Sequence, residues 1–150
     1  MPQPPDIWTV RHAIYRHFAE TARAPEVEEI AAVCRITPEQ AKAVLLDLDK
    51  AHALFLDPGT FDIRIANPFS SVPTEFRVAA GRRTYFANCA WDSFGVIAAL
   101  GSDEGEIEAV CAENGASLRL AVRDGEVMDH GEVVHFLVPF SSWYEDLVFT

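Results

Sequence analysis

The chain has 150 residues, 49% of them apolar, and a formal net charge of −11 at pH 7. This composition suffices to bury a core and excludes a disordered chain, while the length favours one compact domain or two small lobes. The strong negative charge disfavours contact with a phosphate backbone or an anionic membrane.

The N-terminus and the cysteines indicate the cellular setting. The first residues, MPQPPDIWTV, lack the basic patch and apolar run of a secretory signal, and no apolar stretch is long enough to span a bilayer. The three cysteines, Cys34, Cys89 and Cys111, are odd in number and form no CxxC or Cys/His cluster, which disfavours a disulfide framework and a structural zinc site. We therefore expect a cytoplasmic protein without a membrane span.

Three helices are predicted in the first third of the chain. Apolar residues recur at helical spacing over 6–20, with Asp6 as the N-cap. Residues 26–34 form a short second helix with acidic residues in its first turn, which the helix dipole favours. The third helix, 38–50, follows a capping box that begins at Thr37.

Two short strands follow, in ALFLDPGTFDIRIA, around an Asp-Pro-Gly turn. Three helices and a hairpin form the winged-helix pattern, a module that often binds DNA, and we assign it to residues 1–66. Residues 1–60, however, contain nine acidic and six basic side chains, and the helix that would contact DNA has three acids against two lysines. Nucleic-acid binding is therefore disfavoured, and the alternative is a lobe used for packing.

The second lobe, residues 67–150, is predicted to be richer in β-structure. It begins with a turn-rich link, NPFSSVPT, and continues with a hairpin around Gly81 and a helix over 90–100. Three or four strands follow, with turns at Asn114-Gly115, Asp124-Gly125 and His130-Gly131. The expected fold class is therefore α+β: a winged-helix-like three-helix lobe, then a small, mainly antiparallel sheet with one central helix.

Cys89 and Asp92 fall at the predicted start of that central helix. Free backbone N–H groups and the helix dipole lower the pKa of a thiol there, whereas an ionised carboxylate three residues on raises it. Such a pair can share one proton, which suits a thiolate that binds a substrate beside an acid that delivers a proton. The alternative is structural, because free cysteine is often buried and aspartate is common near helix starts.

The segment NCAWDSFGVIAALG, residues 88–101, resembles the active-site segment of the organomercurial (alkylmercury) lyases, which show Cys-Ala-x-Asp before an apolar helix. Other features follow in the same order: a winged-helix-like lobe, a Pro-Thr-containing link like SSVPTEFRV, a cysteine in VCAENGASLRLAV, and a strand like EVVHFLVPF. The resemblance covers most of residues 7–150 and is strongest over 85–101 and 109–122.

The resemblance implies protonolysis of a carbon–mercury bond in a small organometallic substrate. Soft Hg(II) prefers thiolate ligands. By motif match, Cys89 is the first thiolate and Asp92 the proton carrier, so these two are the expected catalytic and metal-contacting residues. Cys111 matches a structural cysteine of the family, and Cys34 is expected in the core. The family needs no organic cofactor, but it uses external low-molecular-weight thiols to remove mercury, which fits a reducing cytosol.

The chain departs from the family at its second catalytic cysteine. The stretch in which the family has it is SSWYEDLVFT here, and it ends at Thr150 without a cysteine. Either the native protein continues to a thiol or this member has lost it, so we expect this chain to bind organomercury and to cleave it poorly or not at all. The alternatives to a lyase are a soft-metal-binding homologue without turnover and a winged-helix regulator that responds to thiols or metals.

Aromatic residues near the motif are candidates for lining a pocket, with a place in the core as the alternative. His135 is expected to be a packed or edge histidine within a strand. The aromatic candidates are Tyr85, Phe86, Trp91, Phe94, Trp143 and Tyr144.

Overall fold

A computed structural model describes residues 5–128 and 131–147 of the chain. The fold is α+β, as the sequence predicts, with the main helices first and most strands after them. The chain divides into two compact units, Met1–Ala66 with Ser70–Val72 and Asn67–Phe69 with Pro73–Thr150. Across the described ranges, no helix combines the length and the apolarity needed to cross a membrane.

Three helices begin the first unit: α1 (Ile7–Thr21), α2 (Val27–Cys34) and α3 (Pro38–Lys50). The predicted caps are confirmed, because the Asp6 carboxylate accepts two backbone N–H groups of α1 and Thr37 forms a capping box with Gln40. Helix α2 has a capping box that the sequence analysis missed, between Glu26 and Glu29. All three helices therefore begin where their unpaired backbone N–H groups find side-chain acceptors.

The helices of the first unit pack through the apolar positions that their periodicity marks. The side chains buried there include Val10, Ile14, Phe18, Ile30, Leu45 and Leu48. Strands β1 (Phe55–Leu56) and β2 (Ile63–Ala66) follow as an antiparallel pair, with an ion pair of 3.0 Å between Asp57 and Arg64. The predicted helices and hairpin are therefore confirmed, and the use of this unit as a winged-helix module stays a prediction.

The second unit is built on antiparallel strands. They are β3 (Phe69–Ser70, whose Ser70 belongs to the first unit), β4 (Phe76–Ala80), β5 (Arg83–Ala87), β6 (Gly105–Val110), β7 (Ser117–Arg123) and β8 (Glu126–Val127). Their order in space is β3-β5-β4-β6-β7-β8. The predicted hairpin is β4–β5, which turns at Gly81 with φ of +61°, a conformation that glycine adopts readily.

One helix, α4 (Ala90–Ala99), packs on β4, β5 and β6. Strand residues on the face toward the helix are buried, among them Val78 and Ile107, and so are Val96 and Ile97 of the helix. The opposite face of the sheet is charged: Glu108 forms ion pairs with Arg77 at 3.4 Å and Arg119 at 2.9 Å. The sheet therefore has one apolar and one solvated face, and α4 covers the apolar one.

The strand predicted over 132–140 is wrong. Described residues 131–139 are irregular, and Phe140–Glu145 form a 3₁₀-helix. The carbonyl of Val138 accepts the indole N–H of Trp143 at 3.0 Å instead of a strand amide, and the Trp143 ring packs on Phe136 and Phe140. Other apolar side chains of the segment, among them Val133 and Leu137, are exposed, and His135 is exposed outside any strand. The turn proposed at His130-Gly131 lies partly outside the described residues.

Candidate active site at the start of α4

Cys89 and Asp92 lie together at the N-terminus of α4. Cys89 is the N-cap, in an extended conformation, and its Sγ accepts the backbone N–H of Asp92 at 3.4 Å. Asp92 lies in the first turn of α4, and its carboxyl group is close enough to the Cys89 side chain for each group to shift the pKa of the other. Both side chains are half-buried. The structure therefore brings together the two residues that the sequence analysis singled out.

Burial has the largest effect on the Cys89 thiol and raises its pKa to about 11. The charge of Asp92 raises this pKa further, whereas hydrogen bonds from the backbone N–H groups of Asp92 and Trp91 lower it. The helix N-terminus therefore acts in the expected direction, but burial and the neighbouring carboxylate outweigh it. The resting thiol is protonated at neutral pH, so its use as a nucleophile requires a proton acceptor.

The Asp92 carboxyl group is well placed to be that acceptor. Burial, the largest cause, raises its pKa above the ordinary value, while hydrogen bonds from Asn67 and Cys89 lower it. A carboxylate with a raised pKa binds a proton more readily than an ordinary aspartate. The thiol and the carboxylate are thus arranged to exchange one proton.

Asn67 is the site residue that the sequence analysis missed. Its Nδ2 donates to Oδ2 of Asp92 at 3.1 Å, across 25 positions of the chain. The predicted turn-rich link over 67–74 contains this residue and β3, so the link contributes directly to the site. No local motif marks Asn67, since its role depends on where the chain folds back onto α4.

The aromatic candidates differ in their surroundings. Tyr85 is buried in the sheet and packs on Phe69, with ring centroids 5.7 Å apart. Trp91, between Cys89 and Asp92, is 65% exposed. Trp143 and Tyr144 both contact Phe140 in the 3₁₀-helix. Tyr85 therefore belongs to the core, whereas the indole of Trp91 is open to solvent beside the thiol.

The residue before Cys89 connects the site to the C-terminal segment. Nδ2 of Asn88 donates to the carbonyl oxygen of Leu147 at 3.0 Å. This single bond joins residues 59 positions apart and holds the end of the described chain beside the start of α4. Neither residue is titratable, so the contact affects position rather than charge.

The other two cysteines lie in different surroundings, and no disulfide joins the three. Cys111 follows β6 in a tight turn, where its backbone N–H donates to Ala116 and its carbonyl accepts from Gly115, both at 2.8 Å. Cys34 ends α2 in the first unit, and burial raises the pKa of its thiol. It is half-buried rather than a full core residue. Within the two described ranges, no three His, Cys, Asp or Glu side chains cluster as a metal site.

A small cavity of about 40 Å³ lies in the first unit, which contains neither Cys89 nor Asp92. His17, Glu29 and Arg16 line it, and Nε2 of His17 lies 3.8 Å from Oε2 of Glu29, too far for a hydrogen bond. It is too small for an organic ligand. The cavity therefore offers no second candidate site.

Comparison with known proteins assigns a family to this geometry. The family model described as MerB, alkylmercury lyase, matches residues 69–149, which include Cys89, Asp92 and all of α4. A crystal structure of the mercury-bound form of MerB2 is similar in fold, with a TM-score of 0.68 and 21% sequence identity. The similarity covers 85% of this chain but only 61% of that one, so the chain spans about three-fifths of its relative's length. No curated protein sequence matches the chain.

Proposed function

Because the chain belongs to the alkylmercury lyase family, we propose that it captures an organomercurial at Cys89 and cleaves the carbon–mercury bond by protonolysis. The observation that supports this most directly is the half-buried pair of Cys89 and Asp92 at the start of α4, where the backbone N–H of Asp92 donates to the Cys89 sulfur at 3.4 Å. A thiol suits a soft metal, and an adjacent carboxyl group with a raised pKa suits proton transfer. The substrate class is a small organomercurial.

The first proposed step is capture. The Cys89 sulfur displaces the anionic ligand of the organomercurial and forms a bond to mercury, the displaced anion leaves to solvent, and the thiol proton passes to the Asp92 carboxylate. Because the thiol is protonated at neutral pH, this transfer removes the main obstacle to forming the thiolate. The half-buried position of the pair limits competition from water for the transferred proton.

The second proposed step is protonolysis. Asp92 gives its proton to the carbon attached to mercury, and the electron pair of the breaking carbon–mercury bond forms the new carbon–hydrogen bond. The hydrocarbon leaves, mercury stays on sulfur, and Asp92 is again a carboxylate. No atom changes oxidation state through an outside oxidant or reductant. An external thiol supplies the further sulfur that weakens the carbon–mercury bond before the proton transfer, and external thiols carry mercury away after the hydrocarbon has left.

A stoichiometric titration with phenylmercury tests the proposal. Intact mass follows binding and gas chromatography follows benzene release, with and without added low-molecular-weight thiol. We expect one equivalent bound at Cys89, and benzene release that is slow alone and faster with thiol. Cys89→Ser should lose both binding and release, and Asp92→Asn should keep binding and lose release. Benzene release by Cys89→Ser would overturn the assignment.

A soft-metal-binding protein without turnover is the second candidate. It is favoured by the small number of ligands, because no third His, Cys, Asp or Glu joins Cys89 and Asp92 in a metal-binding cluster within the described part of the chain. Binding of phenylmercury at Cys89 without benzene release, even with excess thiol, would establish this function instead. A DNA-binding regulator is the weakest candidate, given the acidic α3.

A further inference from the structure

We propose that Asn67 is a positioning residue, which holds the Asp92 carboxylate in the orientation needed to exchange a proton with Cys89. This inference rests on the proposed function of the Cys89–Asp92 pair, which it deepens, and on contacts that are independent of any bound substrate. The central observation is the bond of 3.1 Å from Nδ2 of Asn67 to Oδ2 of Asp92. This bond ends on the Asp92 carboxylate, so we infer that Asn67 affects the thiol through Asp92.

The amide selects one of the two carboxylate oxygens. An asparagine Nδ2 is only a donor, and its N–H can bond Oδ2 whether the carboxyl group is ionised or neutral. A proton on Oδ2 would compete with this bond, whereas a proton on Oδ1 would not. Asn67 therefore directs the transferred proton to Oδ1 and limits rotation of the carboxyl group about its last bond.

The segment that contains Asn67 is held firmly against α4. Gly95 of the helix lies against Pro68, so closely that a Cβ at Gly95 would lie 3.0 Å from the Cβ of Pro68. The next residue, Phe69, is 2% exposed and packs on the Tyr85 ring. Because the two residues directly after Asn67 are both anchored, the amide is placed by the fold rather than by a mobile loop.

The alkylation rate of Cys89 by iodoacetamide at pH 8 measures this positioning without requiring turnover. Iodoacetamide reacts with the free thiolate, and the negative charge of a carboxylate held against the sulfur lowers the equilibrium fraction of that form when no metal is present, so releasing the carboxylate speeds alkylation. We expect Asn67→Leu to raise the rate by about threefold or more, and Asp92→Asn to raise it at least as much. Asn67→Gln keeps an amide donor and should remain closer to the wild-type rate.

The double variant Asn67→Leu/Asp92→Asn tests whether Asn67 acts on the thiol through Asp92. If Asn67 acts through Asp92, its substitution changes nothing further once Asp92 is replaced, and the two effects are not additive. An Asn67→Leu rate equal to wild type, or additive effects in the double variant, would overturn the proposal. Asn67 is exposed, so the fold should tolerate the change. Should circular dichroism show that the leucine variant is unfolded, Asn67→Ser, whose hydroxyl is too short to reach, replaces it in the same cycle.

Hydrocarbon release from bound phenylmercury gives the second readout. We expect Asn67→Leu to keep stoichiometric binding at Cys89 but to release benzene about tenfold or more slowly, as is common when a residue that orients a ligand or acid is lost. If the wild-type chain binds phenylmercury and releases no benzene, the lyase proposal fails while the alkylation cycle still decides the role of Asn67.

Discussion

The surroundings of Cys89 shift the pKa of its thiol in two opposite directions. The backbone N–H groups of Trp91 and Asp92 lower its pKa, but burial and the Asp92 carboxylate raise it to about 11. The position alone would suggest an activated thiolate, whereas the surroundings give a protonated thiol with a proton acceptor beside it. Reactivity therefore depends on the pair and not on the cysteine by itself.

The pH dependence of Cys89 alkylation should show this directly. We expect the rate, measured by peptide mapping, to rise with a midpoint near pH 11, and to be faster at pH 8 in Asp92→Asn because the carboxylate no longer opposes the thiolate. The same chain unfolded in urea provides the control, in which the alkylation rate should have its midpoint at about pH 8.5. A slower Asp92→Asn variant would contradict this account.

Asp92 should also cost stability at neutral pH. A carboxyl group whose pKa is raised on folding stabilises the fold below its unfolded pKa, and this contribution is lost as the pH rises through its folded pKa. We therefore expect Asp92→Asn to be more stable than wild type to urea at pH 7, with a smaller difference at pH 3. Asp103→Asn, at an exposed loop position, should change stability little at either pH. Lower stability of Asp92→Asn at pH 7 would exclude burial as the main cause of the raised pKa.

At the scale of elements, the site depends on the contact between α4 and the segment before β3. Gly95 and Pro68 permit a close approach, and the approach brings Asn67 to Asp92. A glycine within a helix normally costs stability, so its presence in α4 is explained by this contact rather than by helix formation.

Gly95→Ala should therefore destabilise the protein, contrary to helix propensity. Overpacking against the rigid proline ring costs about 1–3 kcal/mol and outweighs a propensity gain of about 1 kcal/mol. We expect a lower free energy of unfolding in urea, and faster Cys89 alkylation because the Asn67 contact loosens. The matched control is Ala98→Gly on the exposed side of α4, which should lower the free energy of unfolding only by the difference in helix propensity. A higher free energy of unfolding for Gly95→Ala would show that the segment around Pro68 moves aside without loss of stability.

How well a feature follows from the sequence depends on how far apart in the chain the residues that form it lie. Caps such as Asp6 and Thr37, and the hairpin around Gly81, depend on neighbours within a few residues and were predicted correctly. Asn67 depends on a contact across 25 positions, which no local pattern records. The strand proposed over 132–140 is wrong because β-propensity cannot supply a partner strand, and only Phe136 and Phe140 of these residues have a recognised ring contact, with Trp143. The raised thiol pKa was missed because burial is a property of the folded chain.

At the scale of the whole molecule, the charge of −11 limits which partners the chain can meet. It repels polyanions at long range while leaving a neutral or cationic organomercurial free to approach. The net charge is therefore compatible with the proposed small-molecule substrate, whereas it disfavours the DNA contacts that a winged-helix pattern suggests.

The chain should not bind duplex DNA. In fluorescence anisotropy at 150 mM salt we expect a Kd weaker than about 10⁻⁴ M, because the acidic surface offers few cations to replace the DNA counterions. A variant with Glu39→Lys and Asp47→Lys, both exposed on α3, provides the matched control and should bind more tightly if that helix can face DNA. Saturable binding by the native chain at this salt concentration would restore the regulator hypothesis.

The exposed indole of Trp91 gives the site an optical property of its own. Heavy atoms promote intersystem crossing in nearby aromatic rings, and Trp91 lies two residues after the sulfur that is proposed to hold mercury. Mercury bound at Cys89 should therefore quench the fluorescence of Trp91 and shorten its excited-state lifetime. Trp91→Phe should remove this quenching. The chain would then report its own occupancy in real time, with no label attached.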